Sequence, residues 1–212
     1  MPPIRPNMQQ FAYHEPTQPR AARTFKRILN TALDIIEREN IDALNTNKIA
    51  KECGINISTL YHYFPNKDVI LYALYEQWFQ RVSEITLAHR TALKSKSDLK
   101  KCFTNILNDV LTIEDYSPKS AISLEQAMKS RSELAEYDNY ITELSVEFYI
   151  EALSSLGSKK GYDEFVVIGS LLLVSVWGAI AAAASSPKSA YSMICEYAAD
   201  MMVTTAKRAL KD

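Results

Sequence analysis

Ile49-Ala50-Lys51-Glu52-Cys53-Gly54-Ile55-Asn56-Ile57-Ser58-Thr59-Leu60-Tyr61-His62-Tyr63-Phe64-Pro65-Asn66-Lys67 is the stretch that decides the fold. Asn45, just upstream, is placed to cap a short helix whose inward face is Ile49, Ala50 and Cys53. Gly54 then supplies the permissive backbone of a tight turn. Asn56 is placed to cap a second short helix from Ile57 to Phe64, and Pro65 stops it because the residue before a proline disfavours helical angles. The pattern predicts two short helices held around a glycine turn.

Outward from this stretch the chain reads as helix after helix. Upstream, Phe25, Ile28, Leu29, Ala32, Leu33 and Ile36 recur at amphipathic spacing in a helix that starts at Arg23 and ends near Asn40. Residues 1–19 hold Pro2, Pro3, Pro6, Pro16 and Pro19 with no helical period and are expected to form an extended, mobile arm. Downstream, a long helix with Leu71, Leu74, Tyr75, Trp78, Phe79, Val82 and Ile85 on one stripe runs to about Lys96. Ser97 is placed to cap a helix burying Leu99, Cys102, Phe103, Ile106, Leu107, Val110 and Leu111. Ser117-Pro118 opens the next, since proline suits a first turn. Tyr137 to Leu156 follows, with Gly157 as its C-terminal cap, and then Tyr162 to Ala184 and Pro187 to Leu210. With 5 glycines and 8 prolines in 212 residues, and 47% hydrophobic residues, an all-α protein with a sizeable core is expected.

The segment from Arg23 to about Trp78 resembles the DNA-binding signature of TetR-type regulators. The Ile-Ala pair at Ile49-Ala50, the glycine turn, Thr59-Leu60-Tyr61, the aromatic pair Tyr63-Phe64 and the following Lys67 carry the resemblance. It fits the physical reading. Ile49, Ala50, Ile55, Leu60 and Phe64 fix the angle between the two helices, leaving Ile57, Ser58 and His62 free to face a major groove. The resemblance adds Asn47 to the base-reading set and implies that Thr46, Thr59, Tyr61, Tyr63 and Lys67 bond to phosphates, which position the protein while base contacts specify the operator. Ile57 is open to two uses, contact with a thymine methyl or plain surface exposure. His62 has two as well, a base contact or plain surface exposure, and so do Tyr61 and Tyr63, a phosphate bond or a place in the core, Tyr63 by packing on the long helix.

The implied architecture has the arm at 1–19, a three-helix helix-turn-helix DNA-binding domain at 20–67, and a helical ligand-binding and dimerisation bundle at 68–212. Residues 1–67 hold 9 Lys+Arg against 6 Asp+Glu and the remainder 15 against 19, so the basic excess is at the front, where a polyanion is expected. Arg5, Arg20, Arg23, Lys26 and Arg27 form a basic lead-in. Phe103, Met128, Tyr137, Tyr140, Phe148 and Trp177 are candidate walls for a ligand cavity, or simply core; their few charges suggest an apolar or aromatic effector with a hydroxyl or amide.

Phe165 to Ala184 carries no charge over twenty residues, long enough to span a bilayer. Its content of small residues favours a buried helix, and Gly169, Leu173, Val176 and Ile180, sharing one face, are the candidate seam of a homodimer. Cys53, Cys102 and Cys195 are far apart and read as reduced, buried thiols; the three histidines lack metal-ligand spacing, so no metal or other cofactor is expected. No signal peptide pattern precedes the helices, which points to the cytoplasm. A phosphate-binding glycine loop, a nucleophile elbow and an HExxH pair are all missing from the sequence, so no catalytic residues are assigned and an enzyme is not expected. A helix-turn-helix serving as a protein-protein adaptor is the competing class.

Overall fold

The computed structural model describes residues 3–13 and 15–211; Met1, Pro2 and His14 of the expected arm lie outside the described residues. Among those described, all regular structure is helical: α1 (Pro19–Arg38), α2 (Thr46–Cys53), α3 (Ile57–Tyr63), α4 (Lys67–Ala92), α5 (Leu99–Leu111), α6 (Pro118–Lys129), α7 (Ser132–Ser155), α8 (Tyr162–Ala184) and α9 (Tyr191–Ala209), with four short 3₁₀ turns. The chain divides into two compact units. The front one comprises residues 6–79 and 114–138, and the back one residues 80–113 and 139–211 with residues 3–5.

In the front unit, α1 starts on Pro19 and buries Phe25, Ile28, Leu29, Ala32, Leu33, Ile35 and Ile36. It stops at Arg38, two residues short of Asn40, whose carboxamide instead accepts hydrogen bonds from the Asp42 and Ala43 amides. The unit runs past the expected boundary at Lys67 because α1 and α4 bind α6 and the start of α7. Ser117 and Lys119 donate to the Glu37 carboxylate and carbonyl, Tyr116 donates to the Leu74 carbonyl at 2.9 Å, and Arg131 Nε meets Asp68 at 2.8 Å. Spacing along the chain does not reveal such contacts between distant residues.

The expected mobile arm is anchored over part of its length. Phe11 is buried in a 3₁₀ turn and stacks on Tyr72 with ring centroids 5.7 Å apart. Tyr13 stacks on Phe25 at 5.7 Å and donates to Glu76 Oε2 at 2.9 Å.

Deeper in the front unit, Asp138 is only 3% exposed and accepts a hydrogen bond from the Tyr75 hydroxyl at 2.5 Å. Burial raises the Asp138 carboxyl above the usual range, against the lowering effect of the Tyr75 bond, and burial also holds the Tyr75 phenol well above its ordinary value.

In the back unit, α5 buries all seven residues expected of it. Its entry is organised by Asp98 rather than Ser97: the Asp98 carboxylate accepts from the Ser95 amide at 2.8 Å and the Ser95 hydroxyl at 2.9 Å. Gly157 ends α7 at φ 87°, with the Ser158 amide reaching back to the Leu153 carbonyl at 3.2 Å.

Helix α8 is long and apolar enough to cross a membrane, with a mean hydropathy of 2.3 over its best window, of which 39% is buried within the protein. It packs on α9 and α5 and buries Phe165, Ile168, Gly169, Leu172, Val176, Ala179, Ile180 and Ala183. Within the single subunit the residues of the expected dimer seam are mostly covered. Gly169, Val176 and Ile180 face the interior of their own subunit and Leu173 is half-buried. A Cβ on Gly169 would sit 3.0 Å from Val146 Cγ1 and 3.1 Å from the Val146 carbonyl oxygen, so the glycine serves a close approach to α7. The outward stripe is instead Val167, Leu171 and Val174, 59%, 51% and 64% exposed.

Candidate nucleic-acid interface and back-unit cavity

The two short helices are set by local chemistry. Asn45 Oδ1 accepts from the Lys48 amide at 2.9 Å and caps α2, while Asn56 Oδ1 accepts from the Ser58 amide at 3.2 Å and caps α3. Between them Gly54 adopts φ 65°, ψ 37°, and the Ile55 amide reaches the Ala50 carbonyl at 3.0 Å, closing the end of α2. Ile49, Ala50, Cys53, Leu60 and Phe64 lie inside. Phe64 stacks on Phe25 at 4.9 Å, which ties the end of α3 to α1.

The residues left outside are largely those that the sequence assigned to DNA. Asn47, Ser58, Tyr61 and His62 are exposed, while Thr46, Ile57, Thr59, Tyr63 and Lys67 are half-buried. Tyr61 is 47% exposed, and its hydroxyl lies 3.2 Å from Thr46 Oγ1, so α2 and α3 present a shared polar edge. The His62 ring stands edge-on to Tyr63 at 5.3 Å, and Tyr63 in turn meets Phe25 edge-on at 6.1 Å. Both uses left open for Tyr63 therefore keep support: its ring packs, though on α1, and part of it stays accessible. Arg20, Arg23 and Arg27 are exposed on α1. Sequence reasoning missed Phe11 and Tyr13, whose rings brace Phe25, Phe64 and Tyr72 behind the recognition surface. Two aromatics spaced by one residue inside a proline-rich stretch were the available signal.

In the back unit, Arg90, Leu93, Leu99, Cys102, Phe103, Ile106, Phe148, Tyr149, Ala152, Leu153 and Leu172 surround a cavity of about 10 Å³, room for roughly one water molecule. Burial pushes the Cys102 thiol up to about 11, so it stays neutral.

Residues 28–74 match the family of bacterial regulatory proteins called the tetR family. Over that stretch the chain is similar to that family. An HTH-type transcriptional regulator of Bacillus subtilis (strain 168), YuxN, is 25% identical over 140 residues, which are 64% of this chain and 46% of that protein. A second HTH-type regulator, encoded in the dhlA 5' region of Xanthobacter autotrophicus, is 28% identical over 86 residues, 41% of this chain and 42% of its own. The matched stretch thus spans less than half the length of each of these relatives. A TetR-like transcriptional regulator from Rhodococcus sp. RHA1 shares the fold with a TM-score of 0.67 at 19% identity, over 91% of this chain and 98% of that one. A multidrug binding protein, EbrR, solved with imidazole, has a TM-score of 0.61 at 17% identity, over 89% and 94% of the two chains.

The match to the tetR family covers α2, α3 and most of α1, the elements that carry the exposed polar edge. Outside it, the six expected ligand residues are divided between the two units. Phe103 and Phe148 line the back-unit cavity; Met128 and Tyr137 are buried in the front unit; Tyr140 and Trp177 belong to the back unit but not to the cavity lining. A side chain's place around a cavity depends on which helices meet, and periodicity along one helix does not show that.

Proposed function

We propose that the protein is a sequence-specific DNA-binding transcriptional regulator of the cytoplasm, a repressor released from its operator by a small apolar or aromatic ligand. The observation that carries this reading is the exposed edge of α2 and α3, where Asn47, Ser58, Tyr61 and His62 point outward from a rigid apolar base. In this reading Asn47, Ile57, Ser58 and His62 meet base edges, and Thr46, Thr59, Tyr61, Tyr63 and Lys67 hold phosphates. The partner is double-stranded DNA with a palindromic operator, because a symmetric dimer places two recognition helices about 34–36 Å apart, one helical turn of DNA.

The homodimer is assigned to the outward faces of α8 and α9. Val167, Leu171 and Val174 on α8, with Met193, Tyr197 and Met201 on α9, are large apolar side chains facing solvent in the single subunit, and spacings of three or four residues within each set make two stripes. Covering those stripes with a second copy takes six of the large apolar side chains that the back unit exposes out of water. The ligand site is assigned to the cavity around Phe103 and Phe148. Ligand binding favours a dimer with a different spacing of its recognition helices, and the population shifts away from the DNA-bound form. Helix α4 is one uninterrupted helix with residues in both units, which makes it the covalent route for the signal. Replacing Trp78 without altering the response to ligand would count against that route.

Selection from a randomised DNA pool at two salt concentrations tests the reading, with a Tyr61→Ala, His62→Ala double variant alongside. A palindromic motif that the wild type enriches and the variant loses is the expected result, with affinity falling steeply as salt rises. No enrichment at either salt would leave the adaptor reading in its place.

A further inference from the structure

We propose that the ligand of the back-unit cavity is a small apolar carboxylate, whose acid group takes the place of Glu151 on Arg90. The proposal rests on the cavity being the effector site and adds the chemistry of the effector. The lining is almost wholly apolar, with Leu99, Phe103, Ile106 and Leu172 at its walls, and Arg90 is its one charged residue. A guanidinium is always protonated and offers a planar fork of donors that matches a carboxylate.

Arg90 is held at this rim in a way that leaves it exchangeable. Its guanidinium lies over the Phe148 ring, 5.2 Å from the centroid, and its Nη1 donates to the Glu151 carboxylate. The Arg90 side chain is 30% exposed and that of Glu151 63%, so the cation faces the cavity while its partner stands mostly in water. An ion pair with a partner so exposed is weak, because solvent competes for the carboxylate. A carboxylate carried on an apolar body that enters the cavity has the opposite balance, with its charge next to Arg90 and its tail removed from water. Nothing in the lining offers the same to a cation: the Cys102 thiol is neutral, and Glu151 is absent from the wall.

The free space of about 10 Å³ means that any such ligand enters by displacing side chains. Phe148 is the half-buried ring under Arg90, so exchange of the Arg90 partner and movement of Phe148 are one event. The device joins recognition of the acid group to opening of the apolar wall.

Calorimetric titration of the full-length protein at neutral pH with octanoate, 1-octanol and octylammonium tests this, since the three share a tail and differ in the head. Octanoate is expected to bind at least about tenfold more tightly than 1-octanol, and octylammonium more weakly than either. Arg90→Gln is expected to bring octanoate down to the level of the alcohol, and Glu151→Gln to tighten octanoate several-fold by removing the competitor. Equal affinity for octanoate and 1-octanol, no binding of octanoate, or an unchanged octanoate affinity in Glu151→Gln would overturn the proposal. The Glu151 variant stands even if Arg90→Gln fails to fold. Operator binding by the wild type, measured on the same preparation, separates failure of this chemistry from failure of the regulator reading.

Discussion

The inward and outward faces of α8 separate two substitutions, two residues apart, by what each should break. Leu171 is 51% exposed in the single subunit. Covering it in a dimer buries about half of a leucine side chain, worth roughly 1 kcal/mol per copy and roughly 2 for the pair. Leu171→Asp forfeits that and also brings two carboxylates into an apolar seam, where removal from water costs several kcal/mol more. A loss of about 4 kcal/mol weakens dimerisation by nearly three decades. The subunit itself should tolerate the change within about 0.5 kcal/mol, as exposed positions do. Gly169→Ala should do the reverse. Alanine gains about 1 kcal/mol of helix propensity, but its Cβ meets Val146 at 3.0 and 3.1 Å, and one of those atoms is a backbone oxygen that gives little. Overpacking of that kind costs about 1–3 kcal/mol, so a net loss of up to about 2 kcal/mol in stability is expected with the dimer retained. Sedimentation velocity over a range of micromolar concentrations, with circular dichroism to confirm the helix content, reads both. A Leu171→Asp protein that stays dimeric beside a Gly169→Ala protein that falls to monomer would refute the assignment of the two faces.

Three further outcomes are expected. Gly54→Ala meets no atom within 4 Å, so its cost comes only from the left-handed backbone at φ 65°, about 1–2 kcal/mol in denaturant titration; a neutral substitution would contradict that conformation. Tyr61→Phe removes the hydroxyl beside Thr46 and should weaken specific and non-specific DNA alike by roughly two- to tenfold, with folding unchanged, whereas His62→Ala should blur the preferred sequence; fluorescence anisotropy on matched and scrambled duplexes distinguishes them. Because burial raises the Asp138 carboxyl, the folded state holds that proton longer than the unfolded chain, so its contribution is full below the ordinary carboxylate pKa of about 3.9 and is lost as pH rises through the raised value. The raised Tyr75 phenol has the same sign and removes stability above about pH 10. Asp138→Asn should flatten the acid-side slope in melts across pH, and an unchanged slope would place the titration elsewhere.

What was legible in the sequence acts over a few residues. Asn45, Gly54, Asn56 and Pro65 bound α2 and α3 through contacts no more than five residues long, and Ser117-Pro118 and Gly157 do the same for α6 and α7. The cap before α5 lies at Ser95 rather than at the expected Ser97, although the signal is local: an acid three residues after a serine is the pattern of a reciprocal cap. Other features were settled by distance. Tyr13 finds Glu76 63 residues away, which no proline-rich composition announces. On α8 the helical period picks out stripes correctly, but a helix apolar on every side gives no contrast to say which stripe is inward. Small residues suit a meeting face of two subunits and a close approach within one alike, and Gly169 lets α7 approach.

That lack of contrast also bears on function. A helix that is apolar all round needs cover on both sides, and α5, α7 and α9 supply only one of them. The proposed recognition helix has the complementary shortage: α3 is seven residues long and offers a handful of side chains, enough for a few base pairs at about 1–3 kcal/mol of discrimination each. Two copies held at a fixed spacing multiply that discrimination, and a ligand that changes the spacing cancels it without touching a single base contact. On this reading, the outward stripe of α8 and the exposed edge of α3 are halves of one device, and a charge at Leu171 should abolish operator selection while leaving the chemistry of Asn47, Ser58 and His62 intact.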